Sequence, residues 1–217
     1  MTNSGQPTAN SRQNHAKLPA KLDTTTVDLH WDILRPGRTR TDLAGEFLAA
    51  RTHGTGSWCL AAEAALCIML VHPVFTKYST TPQAPLIRML DLLFFIRTQE
   101  IDWKKTAGYL EQGGMKTAAW ITATYLEMLT GTALPQSFTD RIKQGAAQAW
   151  YLRTWLKNNL STRLLNHPLL IQTGFTLPAH DTFSDAVRSV KQIAQEKKKA
   201  DQELKKLLNV IAEHHKP

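Results

Sequence analysis

The sequence has no apolar run long enough to cross a bilayer. Its most apolar stretches, Leu60–Val71 and Leu86–Ile96, are broken by Glu63 and by Arg88 and Asp91. Both fall short of the ~20 residues that a membrane-spanning helix needs. No signal-like apolar region stands near the N-terminus, so no membrane partner and a cytoplasmic location are expected. Cysteine is scarce: Cys59 and Cys67 are the two in 217 residues. Eight positions apart on one helix, they would lie about 12 Å from each other, too far for a disulfide. Both stand among apolar residues, so they are expected to be small core side chains of a protein in a reducing compartment. Also lacking are a P-loop, a dinucleotide-binding glycine pattern, zinc-ligand spacing and a Ser-His-Asp or Cys-His nucleophile arrangement. The chemistries that rest on those patterns are excluded.

Acidic residues are absent from Met1 to Leu22, where Arg12, Lys17 and Lys21 stand alone. Over the whole chain 26 Lys and Arg face 18 Asp and Glu, a net charge of +8. Residues Arg188–Pro217 also carry an excess of lysine, and the middle is close to neutral. Such termini can attract nucleic acid. They interleave no aromatics with their basic residues, however, and a solvated tail and a charged helix face account for them as well.

The fold class expected is mainly α. Residues 1–23 are rich in Ser, Thr, Asn, Gln and Pro and are expected to be disordered. From Thr25 to Leu34 the chain alternates, with Val27, Leu29, Trp31 and Ile33 on one side and Asp28, His30 and Asp32 on the other. That period marks one half-buried strand, ended by Pro36-Gly37, and no other strand is evident. A lone strand needs a sheet, so this one reads as the remnant of a larger one. Helices are expected over Thr41–Arg51, over Trp58–Val71 with Ser57 as cap, and over Leu86–Thr98. Further ones are expected over Trp103–Gln112 with Asp102 as cap and Gly113-Gly114 as stop, over Met115–Thr130, and over Ser137–Leu160 with a bend near Gly145. A link over Asn166–Pro178 completes a domain of residues 24–178. Residues 179–217 then hold a long Lys-rich helix, Thr182–His215, with apolar positions Phe183, Val187, Val190 and Ala194 and, after Lys197-Lys198-Lys199, Leu204, Leu207, Leu208 and Ile211. Such an amphipathic helix can dock on a protein partner or on its own domain. The six tryptophans fall mostly at helical core positions and are expected to pack.

The run Val27-Asp28-Leu29-His30-Trp31 is followed by a Leu-rich helix ending at His72 and by Leu86-Ile87-Arg88-Met89-Leu90-Asp91-Leu92. Ile101-Asp102-Trp103 comes next, and then a small-residue helix ending at Leu134-Pro135. This succession, over roughly Thr25 to Pro135, resembles an uncharacterised nucleotidyltransferase family of bacteria. The resemblance implies that the strand closes a catalytic sheet and that Asp28 takes the third of three carboxylate positions that together bind Mg²⁺. It also implies that His30, His72 and Asp91 frame a substrate cleft. A Gly-Ser turn and two carboxylates one residue apart should precede the strand. Here Gly56-Ser57 follows it, and the residues ahead of Asp28 do not read as strand. Mg²⁺ and a nucleoside triphosphate are therefore expected as cofactors only where that site is completed, and otherwise none. The plainer alternatives are a helix-terminal His72 donating to a carbonyl and an Asp91 paired with Arg88 one turn earlier.

The reading is a truncated or split nucleotidyltransferase-like protein, inactive alone, whose catalytic part is absent or supplied by another chain. Two alternatives stay open. One is a helical interaction module binding protein through Thr182–His215. The other is a basic nucleic-acid-binding accessory protein using its termini, whose affinity would drop steeply with salt.

Overall fold

The computed structural model describes residues 15–22, 25–30, 34, 37–53, 57–77, 84–164 and 166–214. The chain is mainly α, as its helical periodicities require. It opens with an antiparallel hairpin of β1, His15–Leu22, and β2, Thr25–His30. The strand expected over Thr25–Leu34 is thus observed to His30, and residues 31–33 lie outside the described ones. The disorder expected over residues 1–23 is corrected in its second part, because β1 occupies it. Ala16, Leu18, Ala20 and Leu22 alternate with His15, Lys17, Pro19 and Lys21, which is strand periodicity. Pro19 masks that signal, since proline lacks the amide a ladder needs. The register shifts between Leu18 and Leu22, the stretch that holds Pro19. A second small hairpin pairs β3, Thr52–His53, with β4, Trp58–Cys59.

That hairpin corrects the helix expected to start at Trp58. The first helix, α1, spans Ala44–Ala49, and α2 spans Ala62–His72. Ser57, Trp58 and Cys59 belong to an exposed finger. There Trp58, 62% exposed, meets the His53 ring edge-on at 5.1 Å and the Arg51 guanidinium at 4.8 Å. Cys59 is therefore no core residue, whereas Cys67 on α2 is, and its burial pushes the thiol up to about 12. Beyond α2 a π-helical turn, Pro73–Lys77, leads towards α3, Ala84–Thr98.

The core gathers around α5, Lys116–Thr130, on which α2, α4 (Trp103–Gly113), α6 (Gln136–Ile142) and α7 (Ala146–Lys157) all pack. Residues Thr117 to Thr124 of α5 are buried without a break. Their run of Thr and Ala lets four neighbours approach closely on every side. Helix α4 starts as expected: the Asp102 carboxylate accepts the Lys105 amide at 2.9 Å. It stops where expected too, with Gly114 at φ +66°, a conformation that glycine adopts without strain. At Gly114 the Arg40 side chain packs close, and the Arg40 amide donates to the Gly113 carbonyl at 2.7 Å. Helix α5 is capped from far along the chain. Asp181 accepts the amides of Lys116 at 3.1 Å and Thr117 at 2.7 Å.

The single helix expected over Ser137–Leu160 is three: α6, α7 and α8, Leu160–Arg163. Lys143 and Gly145 are extended, and Gln144 binds the Ile142 carbonyl and the Thr117 hydroxyl in place of helical partners. Asn159, at φ +48°, divides α7 from α8. The expected link Asn166–Pro178 contains α9, Pro168–Ile171, and a second π-helical turn, Gln172–Thr176.

Helix α10, Phe183–His214, is the long C-terminal helix expected, and of the two docking modes left open it meets its own domain by a polar side. Phe183, at 86% exposure, Val190, at 44%, and Ala194 point outward, and the side chains turned to the body are Asp185, Ser189 and Gln192. These body-facing positions repeat at four, then three residues.

Replacing Asp181 by Ala is expected to destabilise the fold by about 2 kcal/mol, since two amides at a buried helix start lose their acceptor. Asp102→Ala, at an exposed helix start, should lose about 1 kcal/mol. Urea denaturation of both variants would show the larger effect at Asp181, and equal losses would contradict the capping account.

Candidate functional site

The residues singled out in the sequence lie on β2, α2 and α3. Asp28 stands in β2 with Lys17 as its cross-strand neighbour, and His30 stands opposite His15. His72 is the last residue of α2 and half-buried. Asp91 is exposed on α3, where its ion-pair partner is Arg88 at 3.9 Å, one turn earlier. Among the described residues, no three His, Cys, Asp or Glu side chains meet where a metal ion could be held.

What the structure does bring together is a buried polar cluster that the sequence reading missed. Four segments build it: the stretch around Gly37 to Arg40, the π-helical turn after α2, the loop carrying His180 and Asp181, and the first turns of α10. Asp185 is its centre and is 2% exposed. Its carboxylate accepts from Arg40 Nε at 3.3 Å and Nη2 at 2.7 Å, from the Thr182 hydroxyl at 2.7 Å, and from Arg188. Burial alone would raise the Asp185 pKa. The donated hydrogen bonds of Arg40, Thr182 and Arg188 overcome that and hold the carboxyl well below the usual carboxylate range. Thr182 in turn accepts the Asp185 amide at 3.2 Å, which caps α10. Gly37 makes the close approach possible. At φ +82°, it lies against Ser189 and Gln192, and a Cβ there would overlap the Gln192 side chain.

His180 lies in the same cluster, 3% exposed, its ring 5.0 Å from that of Phe75. Neither ring nitrogen has a hydrogen-bond partner among the described residues. Burial, and after it the charge of Arg38, push its pKa down to about 4. Asp185 works in the other direction and Arg188 adds to the lowering. The imidazole is therefore neutral at neutral pH. The arrangement is suited to locking α10 to the body and holding one carboxylate ionised. It offers no group poised for proton transfer near neutrality.

A separate groove of about 360 Å³ opens between α5, α6 and α7. Trp120, Glu127, Asp140, Lys143, Gln144 and Arg153 are among its lining residues, so both signs of charge are present. Arg153 lies over the Trp120 ring at 5.7 Å, and Gln136 donates to Asp140 at 2.7 Å. Neither His72 nor Asp91 is among the residues that line this groove. Of the tryptophans expected to pack, Trp120 and Trp155 are buried, whereas Trp58 and Trp150 are exposed.

One sequence signal could have found the cluster. Thr182-Phe183-Ser184-Asp185 has the spacing of a capped helix start with an acid in the third helical position. The partnership with Arg40, 145 residues away, has no local signature.

A family model described as an uncharacterised nucleotidyltransferase matches residues 1–131. The match takes in both hairpins and α1 to α5, and ends before α6. No curated protein and no solved structure matches the chain.

Because the folded state depresses the His180 pKa, neutral His180 contributes stability that is complete above about 6.5 and is lost as pH falls through about 4. The chain should lose on the order of 3 kcal/mol across that window beyond what a His180→Gln variant loses. Urea midpoints measured from pH 7 to pH 4 give the difference, and parallel curves for both proteins would refute the assignment. Arg40→Ala should cost about 2 kcal/mol and Asp185→Ala more, because the second leaves two guanidinium groups facing each other without their carboxylate.

Proposed function

This chain belongs to the uncharacterised nucleotidyltransferase family, and we propose that it acts through its helical domain without transferring nucleotides by its own residues. The strand paired with Asp28 carries this reading. β1 brings two lysines and no carboxylate to the ladder, and Lys17 is the neighbour of Asp28. The chemistry implied by the family resemblance needs three carboxylates around Mg²⁺, which clamps the triphosphate and activates the attacking hydroxyl when bound. The two strands thus supply one of the three carboxylates that such a metal site needs. Asp28 alone, in that setting, does not fit Mg²⁺ with a nucleoside triphosphate. Carboxylates for such a site would have to come from outside this hairpin.

A second reading, a helical interaction module, is favoured by the outward apolar stripe of α10. Phe183 and Val190 are exposed there, while the side turned to the body is polar. The two readings are compatible, since a helical domain that does no chemistry still needs something to bind.

Calorimetric titration with Mg²⁺–ATP and Mg²⁺–CTP, beside an Asp28→Ala control, tests the first reading. Equal, negligible heats from both proteins are expected. Mg²⁺-dependent binding or nucleotidyl transfer that Asp28→Ala abolishes would instead make the chain an enzyme in its own right.

A further inference from the structure

Helix α10 has 32 residues and so extends about 48 Å. No other helix or strand packs along it among the described residues. Its exposed positions Phe183, Val190 and Ala194 and the half-buried Val187 between them step by four, three and four in sequence order, and the sequence keeps the same alternation to the end of the helix: Lys197, Asp201, Leu204, Leu208, Ile211. This is the seam of a heptad, in one unbroken phase, with a basic and an acidic residue at its middle. The body attaches on another side, through Asp185, Ser189 and Gln192, and leaves Phe183, Val190 and Ala194 of the seam exposed. A long helix with an uncovered apolar seam gains most of its stability from whatever covers it.

We propose that α10 pairs with α10 of a second copy of this chain, antiparallel. An alignment centred on Lys199 sets Lys197 opposite the partner's Asp201 and Asp201 opposite the partner's Lys197. The same alignment puts Ala194 opposite the partner's Leu204, Val190 opposite the partner's Leu208, and Val187 opposite the partner's Ile211. The break in apolar character thus becomes two cross-chain ion pairs, with three apolar layers on either side. A parallel pairing would put each charge against its own kind. One flank of the seam carries Ala186, Ile193, Ala200 and Leu207, which widen the apolar contact. The other carries Lys191, Lys198 and Lys205, which repel their counterparts. Added salt screens that repulsion and strengthens the pairing, the reverse of what the same lysines would do on nucleic acid.

Sedimentation equilibrium of the full chain over a concentration series tests this. The mass should rise from 24.4 kDa towards twice that value, and the rise should come at lower concentration in higher salt. Val190→Glu changes an exposed side chain and leaves the monomer fold intact by circular dichroism. It should hold the mass at the monomer value. Lys197→Asp and Asp201→Lys should each weaken association about tenfold, and the double variant should restore it. A monomer at every concentration would overturn the proposal. So would a dimer indifferent to Val190→Glu, or a double swap no better than either single change. None of these outcomes depends on nucleotide binding, so the reading of the Asp28 strand stands or falls separately.

Discussion

The buried carboxylate of Asp185 is the constraint on which the lower half of the molecule turns. A charge so enclosed is tolerated only when donors surround it. Here the donors come from Thr182 and Arg188 on its own helix and from Arg40 in the segment before α1. Arg40 packs in turn against Gly114, the stop of α4, and its amide holds the Gly113 carbonyl. Asp181, four residues before Asp185, caps α5. The start of α10, the end of α4, the start of α5 and the segment before α1 are thus fixed by two sets of hydrogen bonds that meet along the short stretch Asp181–Asp185. Moving any of them leaves a charge or a helix terminus unpaired.

Local chemistry made much of this fold legible. The helices whose ends carry their own signals, α4 with Asp102 and Gly114 and α5 with Gly131, stand within a residue or two of where the sequence puts them. What stayed hidden depends on partners distant in sequence. β1 alternates as a strand should, yet Pro19 speaks against it until β2 supplies a ladder with a shift at that place. The break between α6 and α7 rests on Gln144 finding Thr117 on another helix. Ser57 looked like a cap, but the tendency of Thr52-His53 and Trp58-Cys59 to pair across two glycines prevailed.

The site was less legible than the fold. Candidate residues such as Asp28, His72 and Asp91 can be picked out from their order along the chain, and the family match spans the residues that hold them. Arg40, His180 and Asp185 have no such order to betray them. Arg40 lies in a polar stretch like many others, and only three-dimensional proximity makes it the counter-charge of a residue near the other end. The side by which α10 meets its own domain was hidden for the same reason. Apolar periodicity identifies an amphipathic helix but not which side meets its own domain, and here buried charge outweighed the apolar stripe.

The way α10 is fastened also sets how its release would register. A helix docked through apolar area exposes that area when it leaves, and denaturant sensitivity and heat capacity rise with the area exposed. The contact made by α10 is centred on ion pairs, hydroxyls and an amide, with Ala186, Val187 and Ile193 only half-buried beside them, so its detachment uncovers less apolar surface than the release of an apolar face would. Such an opening would register weakly in urea and calorimetry, and its clearest traces would lie in the exchange of the amides at the helix starts that Asp181 and Thr182 protect.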